Sequence, residues 1–228
     1  FVIDTVPPTA TLTIRTPYTD NAPFVFFYVY DIVDDVTSGV DSIDMQVRDG
    51  INGAWTDYVT NAPPGNMRTF VGEDGHTYYF RVRARDWAGN QSAYSDGAAS
   101  YTVHTCAAAP DGFEPDDDLG GAQWATTDGD AQARVFHQRA DQDWVRFEGA
   151  PGVLYTFVTT NTGGLADTVL ELYDTDGTTL LASNDDTDGR HWGSQISWPI
   201  THTGVYLARI VHYVPDAYGC STAYAFAI

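Results

Sequence analysis

The stretch "TYYFRVRARD", Thr77 to Asp86, decides how the first half of the chain folds. Tyr78, Phe80, Val82 and Ala84 fall on one side of an extended backbone, and Tyr79, Arg81, Arg83 and Arg85 on the other. A period of two with one apolar face defines a half-buried strand, here with a basic outer stripe. Upstream, "TATLTIRT" (Thr9 to Thr16), "PFVFFYVYDI" (Pro23 to Ile32), "SIDMQVRDG" (Ser42 to Gly50) and "AWTDYVT" (Ala54 to Thr60) are also short strand-like runs, parted by Gly, Pro, Asn and Asp. Several short strands at this spacing predict a sandwich or barrel.

Downstream, "HTCAAAPDG" (His104 to Gly112) reads as a linker, rich in small residues with Pro and Gly. Beyond it come "ARVFHQ", "DWVRFEG", "LYTFVTTN", "DTVLELYD", "TTLLASND", "SQISWPI", "GVYLARIVHY" and "AYAFAI", again short strands. The expectation is an all-β chain of two β-sandwich domains, residues 1–105 and 106–228. The chain opens at Phe1 without Met, which reads as a processed or excised piece of a longer precursor. Phe1 to Thr5 echoes Tyr101 to Thr105, so it reads as the last strand of a preceding module.

The net charge is −20, and every basic residue is Arg. The first half carries −7 and the second −13. Such a field repels nucleic acid and anionic membranes and attracts cations. No apolar run approaches the roughly 18 residues of a membrane span. Without Lys, neither a Schiff base nor a Lys–Asn crosslink can form. Cys106 and Cys220 are the only cysteines; one disulfide is expected in a chain of secreted character, against the alternative of two free thiols.

The first segment resembles fibronectin type III and related bacterial Ig-like modules. The resemblance rests on "DTVPPTA" (Asp4 to Ala10), Trp55 and "GEDGHTYYFRVRARDWAGNQSAYS" (Gly72 to Ser95), which matches the family's tyrosine-corner strand. Trp55 is expected in the core rather than as a platform for a ligand. In the second segment "DGFEPDDD" (Asp111 to Asp118), "DQDWVRFEG" (Asp141 to Gly149), Gly152 to Asp186 and "GVYLARI" (Gly204 to Ile210) occur in the order of a bacterial prepeptidase C-terminal domain. That family is a jelly-roll sandwich, similar to the collagen-binding domains of clostridial collagenases and attached to secreted proteases and surface proteins.

"FEPDDD" crowds Glu114, Asp116, Asp117 and Asp118 together, and "DQD" adds Asp141 and Asp143. Like charges this close need solvation or a cation, and calcium takes six to eight oxygens. The resemblance implies Glu114, Asp116, Asp117, Asp141 and Asp143 as calcium ligands. Relatives carry a further acidic residue where this chain has Gly112, which implies one ion rather than two. The competing reading is an acidic linker with no ion. Asp167, Asn184, Asp185 and Asp186 form a second acidic group, either another cation site or turn caps. "DTDG" (Asp174 to Gly177) resembles the start of an EF-hand loop, but the remainder is missing and a hairpin turn is expected.

No zinc-type His spacing and no G-x-S-x-G elbow occur, and no credible catalytic set emerges. His191, Trp192, Tyr213 and Tyr218 are candidates for a contact surface, with Trp198 and Tyr206 expected in the core. The leading functional expectation is a non-catalytic extracellular or cell-surface module, calcium-stabilised, attaching to a protein fibre or glycan. One alternative is a structural subunit binding identical copies head to tail in a filament or surface layer. The other is the accessory tail of a secreted protease.

Overall fold

A computed structural model describes residues 3–15, 24–34, 38–65, 68–95, 99–103, 106–187 and 192–228. The chain divides into two compact units, residues 1–104 and 105–228.

The first unit has seven strands: β1 (Thr9–Arg15), β2 (Phe24–Val33), β3 (Val40–Asp49), β4 (Thr56–Ala62), β5 (Arg68–Val71), β6 (Thr77–Asp86) and β7 (Ala99–Thr102). They form two antiparallel sheets, ordered β1-β2-β5 and β4-β3-β6-β7. The alternation in β6 is realised: Phe80, Val82 and Ala84 are buried against Ile43 and Met45 of β3, with Leu12, Ile14 and Phe70 closing the core. Glu73 N donates to the Tyr78 hydroxyl at 3.1 Å, the tie that defines a tyrosine corner.

One expectation fails here. Trp55 is not in the core. It lies half-buried on the outer face just before β4, with the Arg48 and Arg81 guanidiniums 4.6 and 4.2 Å from its ring centroid. Arg81 and Arg83 also stack on Tyr94, and Arg48 on Tyr79, so the outer stripe is a ladder of alternating guanidinium and aromatic rungs. Ile3 to Pro8 form no strand, and Ile3 is 77% exposed. Pro7 and Pro8 have no N–H to give a ladder, and Asp4 instead accepts from Val6 N at 3.0 Å. Phe1 and Val2 lie outside the described residues.

The second unit comprises β8 (Gln123–Trp124), β9 (Gln132–Val135), β10 (Gln142–Gly149), β11 (Leu154–Asn161), β12 (Thr168–Tyr173), β13 (Leu180–Asn184), β14 (Gln195–Pro199), β15 (Gly204–His212) and β16 (Ala223–Ala227). One sheet runs β13-β12-β15-β10-β8 and the other β14-β11-β16-β9. Every connection except the β12–β13 hairpin crosses from one sheet to the other, the mark of a jelly-roll sandwich. Phe147, Leu172, Tyr206 and Ile210 of the first sheet meet Phe157, Ile196, Tyr224 and Phe226 of the second in one core. At the hairpin Gly177 has φ 69°, and Asp176 accepts from the amides of Thr178 and Thr179, both at 2.8 Å. Asp174 to Gly177 is thus a turn, as expected.

Candidate metal centre

Cys106 and Cys220 are joined, with Cα atoms 5.5 Å apart. The bond fastens the lead-in segment beside the start of β16, where Cys220 N also donates to Cys106 O at 3.1 Å. From there the segment is tied along β9 and β10. Asp111 accepts from Val135 N at 3.0 Å, Trp144 N donates to Asp116 O at 3.0 Å, and Phe113 lies under the Arg134 guanidinium at 4.5 Å. The acidic residues are therefore held over one end of the sandwich.

Arg134 organises their inner side. Its side chain is fully buried, and its Nη1 donates to Asp116 Oδ2 at 2.6 Å and Asp143 Oδ1 at 3.0 Å. The other oxygen of Asp143 accepts from the Tyr224 hydroxyl. Asp143, expected as a ligand, thus has both oxygens engaged by its own chain. Burial pushes its pKa upward, against the pull of Arg134 and Tyr224.

The outer side is electron-rich and short of donors. Glu114 Oε1, Asp116 Oδ1 and Asp141 Oδ1 are all buried, and none accepts a hydrogen bond among the described residues. The ligand atoms of Glu114, His137 and Asp141 lie within 4.8 Å of one another, as do those of Glu114, Asp116 and Asp143. His137 Nδ1 stands 3.0 Å from Glu114 Oε1 and 2.9 Å from Asp141 Oδ2, neither approach being aligned as a hydrogen bond. Burial raises Asp116 to about 6 despite Arg134, with Glu114 and Asp111 adding repulsion. Burial likewise raises Asp141 to about 6, the amide and charge of His137 opposing. Asp117 is exposed, accepting from Gln138 Nε2 at 3.1 Å, and is the outermost member. A cleft of about 170 Å³ opens beside Asp141, between Gln142, Arg209 and His212.

A hard divalent cation fits this donor set: carboxylate oxygens predominate, and each orphaned oxygen is costly while unpartnered. Arg134 neutralises the core side, and the orphaned oxygens remain for an ion. Sequence reasoning did not place Arg134 or His137 in this cluster. A signal was present in "ARVFHQ", where Arg134 shares the inward register of Phe136, so that a buried guanidinium requires carboxylate partners.

In the second acidic group Asp185 Oδ1 and Asp186 Oδ1 are also buried without a hydrogen-bond partner among the described residues. Burial raises Asp167 to about 7, helped by the charges of Asp185 and Asp186. Asn184 acts as a cap, accepting from Gln195 N at 2.8 Å and donating to Asp186 O at 3.1 Å. Among the contact-surface candidates, Tyr213 is 56% exposed and Tyr218 lies under Arg139 at 5.5 Å, both on the connection after β15, while Trp192 is half-buried on the connection between β13 and β14; His191 lies outside the described residues. Tyr206 is in the core and Trp198 packs against it. A third carboxylate group, Asp4, Asp34 and Asp86, lies in the first unit. There Asn90 bonds both oxygens of Asp86, each at 2.8 Å.

The fold and this site together define a two-module β-sandwich chain with an acidic cluster at the lead-in of its second module. No family model matches the sequence, and no curated protein matches it. Among solved structures, the twitchin kinase region from C. elegans is 22% identical, covering 43% of this chain and 16% of that one, with a TM-score of 0.34. Titin module A71 from human cardiac muscle is 25% identical over 41% of this chain and 88% of that one, at 0.31. A carbohydrate-binding module of the β-sandwich superfamily is 14% identical over 98% and 97%, at 0.32. Likeness at this level says nothing of ligand or activity.

Proposed function

We propose that the chain is a non-catalytic extracellular binding module whose second unit is of the prepeptidase C-terminal type and is stabilised by one calcium ion. The observation that carries the calcium reading is that Glu114 belongs to two overlapping clusters, one with His137 and Asp141 and one with Asp116 and Asp143, and that Glu114, Asp116 and Asp141 each keep a buried oxygen without a hydrogen-bond partner among the described residues. Asp117 is the further ligand within the acidic run, while Asp143 serves Arg134 and Tyr224. The ion would clamp the lead-in segment to β9 and β10, beside the clamp already made by the disulfide. That bond fits an oxidising compartment, and the motif order in residues 111–210 supports the family assignment. Attachment to an extracellular protein fibre or glycan is the role such a module serves.

Two measurements test this. Calcium should raise the melting temperature of the intact protein and a chelator lower it, with the difference lost in Glu114→Gln/Asp141→Asn. Retention on fibrillar collagen, cellulose, chitin and peptidoglycan should show at least one calcium-dependent partner. A melting curve indifferent to calcium and chelator refutes the ion; retention on none of the polymers refutes the binding role.

A further inference from the structure

Trp124 stands apart from both the acidic cluster and the expected contact surface. It sits on β8, the two-residue strand at the edge of the five-stranded sheet, and is 53% exposed. Beside it is an open cleft of about 460 Å³ lined by Trp124, Ala125, Thr126, Thr127, Asp128 and Glu148. That volume falls within the roughly 300–1,000 Å³ of ligand pockets.

The two carboxylates of the cleft, Asp128 and Glu148, are acceptors, beside the Thr127 hydroxyl and the Trp124 Nε1–H, which can donate. Thr126 Oγ1 and Asp130 N both donate to Asp128 Oδ1, at 2.6 and 3.1 Å, which fixes the carboxylate and leaves Oδ2 without a donor among the described residues. The same two bonds hold the Asp128 carboxyl below its ordinary pKa. Glu148 is exposed and accepts no hydrogen bond among the described residues. Ionised carboxylates only accept, so a ligand here must bring donors. It must also bring an apolar face to lie on the indole.

Anions are repelled by the two carboxylates. A cation meets a different obstacle. Arg146 pairs across the strands with Trp124, and its guanidinium lies 5.4 Å from the indole centroid, so the aromatic ring already has its cation. A neutral sugar meets every requirement: its C–H face covers the indole, and its hydroxyls donate to Asp128 and Glu148 in charge-assisted bonds. The cleft is open, so a ring within a longer chain can enter.

We infer that Trp124, Asp128 and Glu148 form a glycan subsite that holds one neutral sugar ring of a polysaccharide. This deepens the binding-module reading and rests on it.

The test is titration calorimetry of the full chain in calcium with cellohexaose, chitohexaose, mannohexaose and maltohexaose, and with hexalysine and polygalacturonate as charged controls. At least one neutral hexasaccharide should bind. Trp124→Ala should weaken it by about tenfold or more, Trp124→Phe should keep most of the affinity, and Asp128→Asn/Glu148→Gln should lose affinity with the melting temperature unchanged. Binding of none of the four sugars overturns the inference, as does Trp124→Ala binding like the wild type. Hexalysine binding that depends on Trp124, with no sugar bound, would assign the cleft to basic peptides instead. A protein retained on a polymer while ignoring all four sugars loses the subsite and keeps the module; one retained on nothing loses both.

Discussion

In chelator, the second unit should lose stability as pH rises from about 4 to about 6, the reverse of ordinary acid denaturation. Asp116 and Asp141 are both raised from 3.8 to about 6, burial being the leading cause in each. Between those values the folded chain holds protons that the unfolded chain has released. The contribution is therefore complete below the unfolded pKa and is lost as pH climbs through the folded one. A shift from 3.8 to about 6 amounts to about 3 kcal/mol for one group. Two such groups give less than twice that, because both face Glu114. Calcium binds the ionised carboxylates and so should flatten or reverse the slope; at a hundredfold excess over its Kd it would add about 2.7 kcal/mol. The assay is calorimetry of the intact protein in chelator from pH 4 to 7. The second unit's transition is recognised by its sensitivity to reductant, since the only disulfide lies there. Other carboxylates titrate in the same range, so the decisive quantity is the difference between wild type and Asp141→Asn. If Asp141→Asn keeps the wild-type slope, the burial argument is wrong.

Three further outcomes are expected. Cys106→Ser/Cys220→Ser should cost the second unit about 4–5 kcal/mol by the chain-entropy estimate for so long a loop, read as a lowered second transition; an unchanged transition would contradict it. Arg134→Met leaves two buried carboxylates without their counter-charge and should cost about 3–5 kcal/mol in urea denaturation, with Arg134→Met/Asp143→Leu recovering part of it. In the first unit Phe80→Ala should cost about 3–5 kcal/mol, whereas Trp55→Ala, losing only surface stacking, should cost about 1–2 kcal/mol. Equal losses would return Trp55 to the core.

The strands were legible wherever burial alternated over a long run. Thr77–Asp86 could be read residue by residue because every second side chain enters the core. β5 and β8, with four and two residues, are too short to show a period and are made by their neighbours. Trp55 misled because aromatic identity speaks for burial in general, while its actual partners, Arg48 and Arg81, come from two other strands and are invisible along the chain. The acidic cluster was legible as composition, since Glu114 to Asp118 are contiguous. Its division into a core side held by Arg134 and an outer side with orphaned oxygens was not, because Arg134 arrives from β9 through tertiary packing. Trp124 gave no signal in a segment that otherwise reads as loop.

The disulfide also decides how the second unit would respond to tension. A pull applied between Thr105 and Ile228 enters at Cys106 and passes directly through the sulfur bridge to Cys220. Residues 107–219 carry none of it along the covalent chain; load reaches them through the hydrogen bonds of β16 to β9 and β11. Only residues 221–228, with β16 among them, can be peeled out, a contour length of about 28 Å at full extension. The Trp124 cleft lies within the closed loop and on the other sheet, whereas Tyr224, which donates to Asp143, lies on β16, and β9 with Arg134 is held in its sheet by β16. Peeling of β16 would therefore take apart the Arg134 network, while the bridge, as long as it stays oxidised, stops any longer extension.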